Sequence, residues 1–143
     1  MAAELKAEIR SEGYRHSTKN GQIRVMLLRN DEATLAEVVE KHPNLTHLFI
    51  GNSIRIDWTM ARWIYRFQSL KELNCGRSEY EISPIVSIAE KVQSLTTIIG
   101  LDYYCCSPTK GTNSDAFGEL ERRLKETCSR IQLIDDDRPY DHH

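Results

Sequence analysis

A short apolar pattern returns at one fixed interval, from Leu45 to Leu70 to Leu95, and this spacing restricts the fold more than any other feature of the chain. Leu45-x-x-Leu48-x-Ile50 is followed by Leu70-x-x-Leu73-x-Cys75 and then by Leu95-x-x-Ile98-x-Gly100. Aligned without gaps from Asn20, the same columns hold Ile23 and Val25 one interval earlier. Each stretch alternates apolar and polar side chains, the period-two pattern of a strand with one buried face. The second half of each interval repeats as well. Leu35, Met60 and Ile85 share a column, as do Val38, Trp63 and Ile88, and then Val39, Ile64 and Ala89. Spacings of three and four predict about three turns of amphipathic helix in each unit. A lone strand–helix unit cannot bury its apolar face, so neighbouring units must stack.

A fifth unit aligns from Ile131, after a longer gap that leaves one insertion over residues 103–115 (YYCCSPTKGTNSD). The helix that follows is predicted to turn Phe117, Leu120, Leu124 and Cys128 inward, and IQLID (131–135) to supply a last strand. The column of Val25, Ile50 and Cys75 then holds Asp136. A charge there is too costly to bury, so the array is expected to stop. Ahead of the repeats, AAELKAEI (2–9) predicts a short amphipathic helix with Leu5 and Ile9 on one face, a cover for the first open unit. The expected organisation is a capping segment over 1–19, units over 20–44, 45–69, 70–94, 95–130 and 131–137, and a flexible tail over 138–143.

The first half of each unit resembles the leucine-rich repeat, L-x-x-L-x-L-x-x-N/C. The unit length and helical second half resemble its ribonuclease-inhibitor and F-box type, over residues 20 to 137. The resemblance implies an α/β fold: a short solenoid of four to five βα units with a parallel concave sheet and convex helices. It also implies a non-enzymatic protein-interaction module, a scaffold or adaptor. The family's Asn/Cys position carries Ser53, Ser78 and Tyr103 here. Serine can hydrogen-bond the turn locally, whereas tyrosine cannot do the same. No F-box pattern is found in residues 1–19, which argues against a ubiquitin-ligase adaptor. The alternative architecture is an open sheet of unrelated βα units, such as a regulatory signalling domain of the anti-sigma-antagonist sort. Its strands would lie out of sequential order.

In a solenoid of this kind alternate strand residues point away from the helices. The expected outward columns are Gln22, His47, Glu72, Thr97, Leu133; then Arg24, Phe49, Asn74, Ile99, Asp135; then Met26, Gly51, Gly76, Leu101, Asp137. An exposed aromatic ringed by polar groups is the pattern of a protein-binding hot spot. The expected partner-binding residues are Arg24, His47, Phe49, Glu72, Asn74, Thr97, Ile99 and Leu101, with Phe49 at the centre. The 103–115 loop would gate or extend this surface. Were that loop or the N-terminal segment to cover the sheet, Phe49 and Ile99 would simply be core. With so few units the partner is expected to be a small domain or a peptide, and the chain a subunit of a larger complex.

The second helix concentrates Trp58, Met60, Trp63, Ile64, Tyr65 and Phe67. Met60, Trp63, Ile64 and Phe67 fit one inner stripe, and Trp58 and Tyr65 fall off it. Arg62 and Arg66 are expected on the solvated face. His42 stands before Pro43 at a helix end, where a cation suits the dipole.

Candidate catalytic groups are sparse. The cysteines, Cys75, Cys105, Cys106 and Cys128, lack CxxC spacing and the density of a secreted disulfide scaffold, so reduced thiols are expected. Cys75 and Cys128 fall in core columns. Cys105-Cys106 has no second CxxC or HxxxH to complete a zinc set. A thiol enzyme pairing Cys106 with His47 is the weakest reading. Phosphate-binding loop, dinucleotide fingerprint and nucleophile elbow are all missing from the sequence. No activity, cofactor or metal is therefore expected. A net charge of −2 argues against nucleic-acid binding. No apolar run approaches the ~18 residues of a membrane span. The acidic start lacks the marks of a secretory or transit peptide, so a cytoplasmic or nuclear location is expected. Asp135-Asp136-Asp137 reads as a solvated tail.

Overall fold

The computed structural model describes residues 9–10, 13–51, 54–76, 78–101 and 113–134. Seven strands form one sheet in sequence order: β1 (Ile9–Arg10), β2 (Tyr14–Lys19), β3 (Gln22–Leu27), β4 (His47–Ile50), β5 (Glu72–Asn74), β6 (Thr97–Ile99) and β7 (Gln132–Ile134). Helices α1 (Glu32–Lys41), α2 (Trp58–Ile64), α3 (Ile82–Lys91) and α4 (Asn113–Thr127) each join one strand to the next from β3 onward. The class is α/β, as expected. The sheet is mixed, which corrects the all-parallel expectation: β1, β2 and β3 pair antiparallel, and β3 to β7 pair parallel. The parallel strands run in sequential order, not the order expected of the open-sheet alternative. Crossovers of one hand between neighbouring strands bring these four helices to the same face.

Strands β2 and β3 form a hairpin. Ile9 starts a strand where a helix was expected, and β2 covers the open side of β3. The rest of the expected capping helix, residues 2–8, lies outside the described residues, as does the expected tail over 138–143. Asn20 and Gly21 form the β2–β3 turn with φ of 53° and 78°. Two consecutive left-handed residues make the two-residue turn whose twist matches the flanking strands, and Asn-Gly is its preferred pair.

The strand register moves two of the expected units. Val25 pairs with Leu48 and Leu27 with Ile50, where the ungapped alignment put Val25 beside Ile50. The first interval, Val25 to Leu48, is therefore shorter than the next two, Leu48 to Leu73 and Leu73 to Ile98, which keep the expected spacing. The difference lies in the strand-to-helix connection. In the second and third units it holds a further extended piece, and Ile56 and Tyr80 bridge there in parallel, both fully buried. Between Leu27 and the cap residue Asp31 there is no room for one. At the other end Ile98 pairs with Leu133, one position short of the expected alignment, so Leu133 turns toward the core and Gln132 and Ile134 turn outward. Helix α4 begins at Asn113, inside the expected 103–115 loop; residues 103–112 lie outside the described residues.

One apolar cluster joins the sheet to the helices. It takes Val25, Leu27, Leu48, Ile50, Leu73, Cys75 and Ile98 from the strands, and Leu35, Val38, Ala61, Ile64, Ile85, Ile88, Leu120 and Leu124 from the helices. Helix starts fix which residues face it. The Asp31 carboxylate accepts the Thr34 N–H at 3.1 Å, and that of Asp57 accepts the Met60 N–H at 3.1 Å, each a cap worth about 1 kcal/mol. Counted from these caps, Ala61 takes the place of Leu35 and Ile64 that of Val38. Trp63 therefore falls one position outside the expected column and is half-buried. Met60, Ile64 and Phe67 are buried as expected, and Trp58 is exposed. The Tyr65 hydroxyl shares a 2.5 Å hydrogen bond with Ser87 on α3, so this aromatic belongs to helix–helix packing.

Polar groups tie successive units together. Ser78, fully buried, donates to the Gly51 carbonyl at 2.7 Å, the satisfaction of a turn expected at the Asn/Cys position. Ser53 and Tyr103, at the same position of their units, lie outside the described residues. Arg130 caps the end of α3. Its Nη2 donates to the Ala89 and Val92 carbonyls at 2.6 and 2.9 Å, and its Nε to the Leu95 carbonyl at 2.9 Å.

Candidate functional site

Paired residues of neighbouring strands share a face of the sheet. With Val25, Leu48, Leu73 and Ile98 buried among the helices, their neighbours in sequence form the opposite face. The register arranges them in two rows across six strands. Ser17, Arg24, His47, Glu72, Thr97 and Gln132 make one row. Arg15, Met26, Phe49, Asn74, Ile99 and Ile134 make the other. The first row is wholly polar. The second is apolar at Met26, Phe49, Ile99 and Ile134. Strands about 4.8 Å apart give each row a length of about 24 Å. His47, Phe49, Glu72, Asn74, Thr97 and Ile99 are each half-buried.

All the expected partner-binding residues except Leu101 share this face. Leu101 is only 2% exposed and belongs to the apolar cluster. Gly100, with φ of 89°, breaks the strand alternation just before it and turns Leu101 inward. The expected neighbours also change. The first unit slides by two, so Arg24 stands beside His47 and Met26 beside Phe49. Leu133 leaves the face, Gly76 is buried, and Asp135 and Asp137 lie outside the described residues.

A cavity of about 310 Å³ opens where β2 to β5 present these rows. Arg15, Ser17, Arg24, Met26, His47, Phe49, Glu72 and Asn74 line it. Thr97 and Ile99 continue the face beyond it. Arg15 and Ser17 were missed in the sequence, because the expected capping segment over 1–19 held no strand beside β3. The Asn20-Gly21 pair was the signal that could have placed them.

The electrostatics are uneven. Arg24 donates through Nη2 to Gln22 Oε1 at 2.9 Å. The Arg15 Nε is buried and has no hydrogen-bond partner among the described residues. No carboxylate of a described residue forms an ion pair with Arg15 or Arg24. His47 Nδ1 lies 2.8 Å from Thr46 Oγ1, which also accepts the Ile23 N–H at 3.0 Å. Burial pushes the His47 pKa down, against the opposing pull of Glu72 and with help from Arg24 and Lys71. Its ring is accordingly neutral at pH 7. Asn74 Oδ1 accepts the Gly76 N–H at 2.9 Å, turning part of its amide to its own backbone.

Two other clusters stand apart from this face. Behind β2, the rings of His16 and His42 approach to 4.3 Å, and Tyr14 packs edge-on against His42 at 5.7 Å. The Tyr14 hydroxyl donates to Glu37 at 3.1 Å, and burial with Glu37 pushes its pKa up to about 12. Burial, His16 and Lys41 lower the His42 pKa, so this residue favours the neutral form and is not the helix-end cation expected. On the helix side, Ala36, Glu40, Trp63 and Arg66 help line a groove between α1 and α2. Arg62 and Arg66 are exposed, as expected, and the Arg66 guanidinium lies 5.2 Å over the Trp63 ring.

Among the described residues no group of His, Cys, Asp and Glu could hold a metal ion. Cys75 is fully buried, and burial pushes its thiol up, away from a reactive thiolate. Cys128 is buried too. Cys105, Cys106 and the gating role of their loop lie outside the described residues. No helix of the described residues is long and apolar enough to cross a membrane. No protein-family model, no curated protein and no solved structure matches the chain.

Proposed function

We propose that the chain is a leucine-rich-repeat-like interaction module that binds a protein partner through the sheet face opposite the described helices. The observation that carries this reading is a half-buried Phe49 between Met26 and Asn74, at the edge of a cavity ringed by Arg24, His47 and Glu72. Aromatic and arginine side chains around a partly enclosed apolar centre are what binding hot spots use. The even register of β4, β5 and β6 supports the solenoid reading of this part of the chain. The partner is a small domain or a peptide, because each row is only about 24 Å long. The working role is a scaffold or adaptor without catalysis, nucleic acid or membrane contact, as a cytoplasmic or nuclear subunit of a larger complex.

Phe49→Ala and Asn74→Arg test it. Phe49 is half-exposed, so Phe49→Ala should alter the unfolding midpoint only slightly; Asn74→Arg also loses the bond to the Gly76 N–H, at about 1 kcal/mol, and should still fold. Each should abolish co-purification of the partner from native cells. Unchanged recovery of the partner by both folded variants refutes the use of this face.

A further inference from the structure

We propose that this face takes an extended peptide in which a carboxylate side chain lies two residues from an apolar one, an acidic-x-apolar pattern. The carboxylate is held between Arg15 and Arg24, and the apolar side chain rests on Phe49. This deepens the binding reading and rests on it, since it names the chemistry of the partner.

The charges on the face are arranged for such an occupant. Arg15 lines the cavity with its Nε buried and without a hydrogen-bond partner among the described residues. A buried charged donor left unfilled is costly, and a planar guanidinium fork matches a carboxylate in two parallel bonds. Arg24 sits diagonal to it on the next strand, because Arg15 pairs with Met26 and Ser17 with Arg24. Among the described residues its side chain donates to the neutral Gln22. Two guanidinium groups thus share one wall, and no described carboxylate pairs with either. His47, neutral beside Arg24, adds no repulsion to that pair. Glu72 lies on the far side of His47 and repels an acidic group there. The polarity of the face therefore admits a carboxylate at β2–β3 and excludes it at β5.

The spacing sets the pattern. From midway between β2 and β3 to β4 is one and a half strand spacings, about 7 Å. Alternate residues of an extended chain are also about 7 Å apart and point to the same side. A peptide crossing the strands with its acid over Arg15 and Arg24 places the side chain two residues on over Phe49. Met26, beside Phe49 in the same row, widens the apolar seat.

The test uses the full chain and three fluorescein-labelled peptides in a serine background, carrying Glu-Ser-Leu, Gln-Ser-Leu or Lys-Ser-Leu, read by fluorescence anisotropy. The acidic probe should bind at least about tenfold more tightly than the neutral one, and the basic probe weakest. The double change Arg15→Gln, Arg24→Gln should erase that preference. So should raising the salt from about 0.01 M to about 1 M, which shortens the screening length from about 30 Å to about 3 Å. Arg24→Gln alone serves if the double variant unfolds, because Arg24 is exposed and outside the core. Equal affinity for acidic and neutral probes overturns the inference, as does an acid preference that survives loss of both arginines. If both probes bind equally and Phe49→Ala abolishes both, the charge assignment fails while the face stands as a binding surface. If no probe binds, the inference fails, and partner capture still judges the binding reading separately.

Discussion

Gly100 is the residue whose replacement should report most directly on how closely successive units stack. An ideal Cβ built there lies 2.6 Å from the Gly76 carbonyl oxygen and 2.9 Å from its nitrogen. Both contacts are backbone, so neither can swing aside. The φ of 89° adds a second penalty for any side chain. Two other glycines separate these effects. Gly21 has φ of 78° and nothing within 4 Å of its Cβ position, so Gly21→Ala suffers the dihedral penalty alone, about 1–2 kcal/mol. Gly51 lacks a positive φ, but its Cβ would lie 2.6 Å from the Leu27 carbonyl oxygen, so Gly51→Ala suffers overpacking alone, about 1–3 kcal/mol. Gly100→Ala combines the two and should destabilise by about 2–5 kcal/mol if they add. Urea unfolding of all four proteins, followed by far-ultraviolet circular dichroism, measures the differences. The slopes should agree, so midpoints compare directly. A Gly100→Ala protein no less stable than Gly21→Ala refutes the close approach of the strand ends at Gly76 and Gly100.

Other outcomes follow from single groups. Arg130→Met should lower stability by about 2 kcal/mol, since the carbonyls of Ala89, Val92 and Leu95 lose a charged donor. Arg130→Lys should recover only part of this in urea unfolding, because one ammonium cannot replace the guanidinium fork. Stability should be complete above the ordinary histidine pKa of about 6.5 and fall as the pH drops below it, because the folded pKa values of His42 and His47 are lowered and the unfolded chain takes up protons first. Urea midpoints measured across this range should fall less for His42→Gln; an unchanged pH dependence would show that burial and the neighbouring His16 do not hold His42 neutral. Asp57→Ala removes the acceptor of the Met60 N–H and should weaken the fold by about 1 kcal/mol, whereas Asp57→Asn should retain most of it.

Much of the architecture was legible in local pattern. Period-two alternation at Leu48-Phe49-Ile50 and Leu73-Asn74-Cys75 set both the strands and their buried sides, because successive side chains of a strand must point oppositely. Spacings of three and four set the helices. The burial of Cys75, Cys128, Met60, Ile64 and Phe67 follows from those periods. Less was legible where an interval departs from the common length. An ungapped repeat assumes equal connections, and the connection after β3 is shorter than the two that follow. Arg24 was therefore placed beside Phe49 when its neighbour is His47.

The sequence by itself determined the strand–helix alternation, the core columns and most of the candidate face: Arg24, His47, Phe49, Glu72, Asn74, Thr97 and Ile99. These depend on short-range periodicity, which the chain carries within each unit. The tertiary structure alone decided which of them are neighbours, since register is settled by hydrogen bonds between strands far apart in the chain. It also decided that β2 pairs with β3 as a hairpin beside the first unit, and so brought Arg15 to the cavity. And it turned Leu101 into the core, because one left-handed glycine reverses an alternation that the pattern would have carried on.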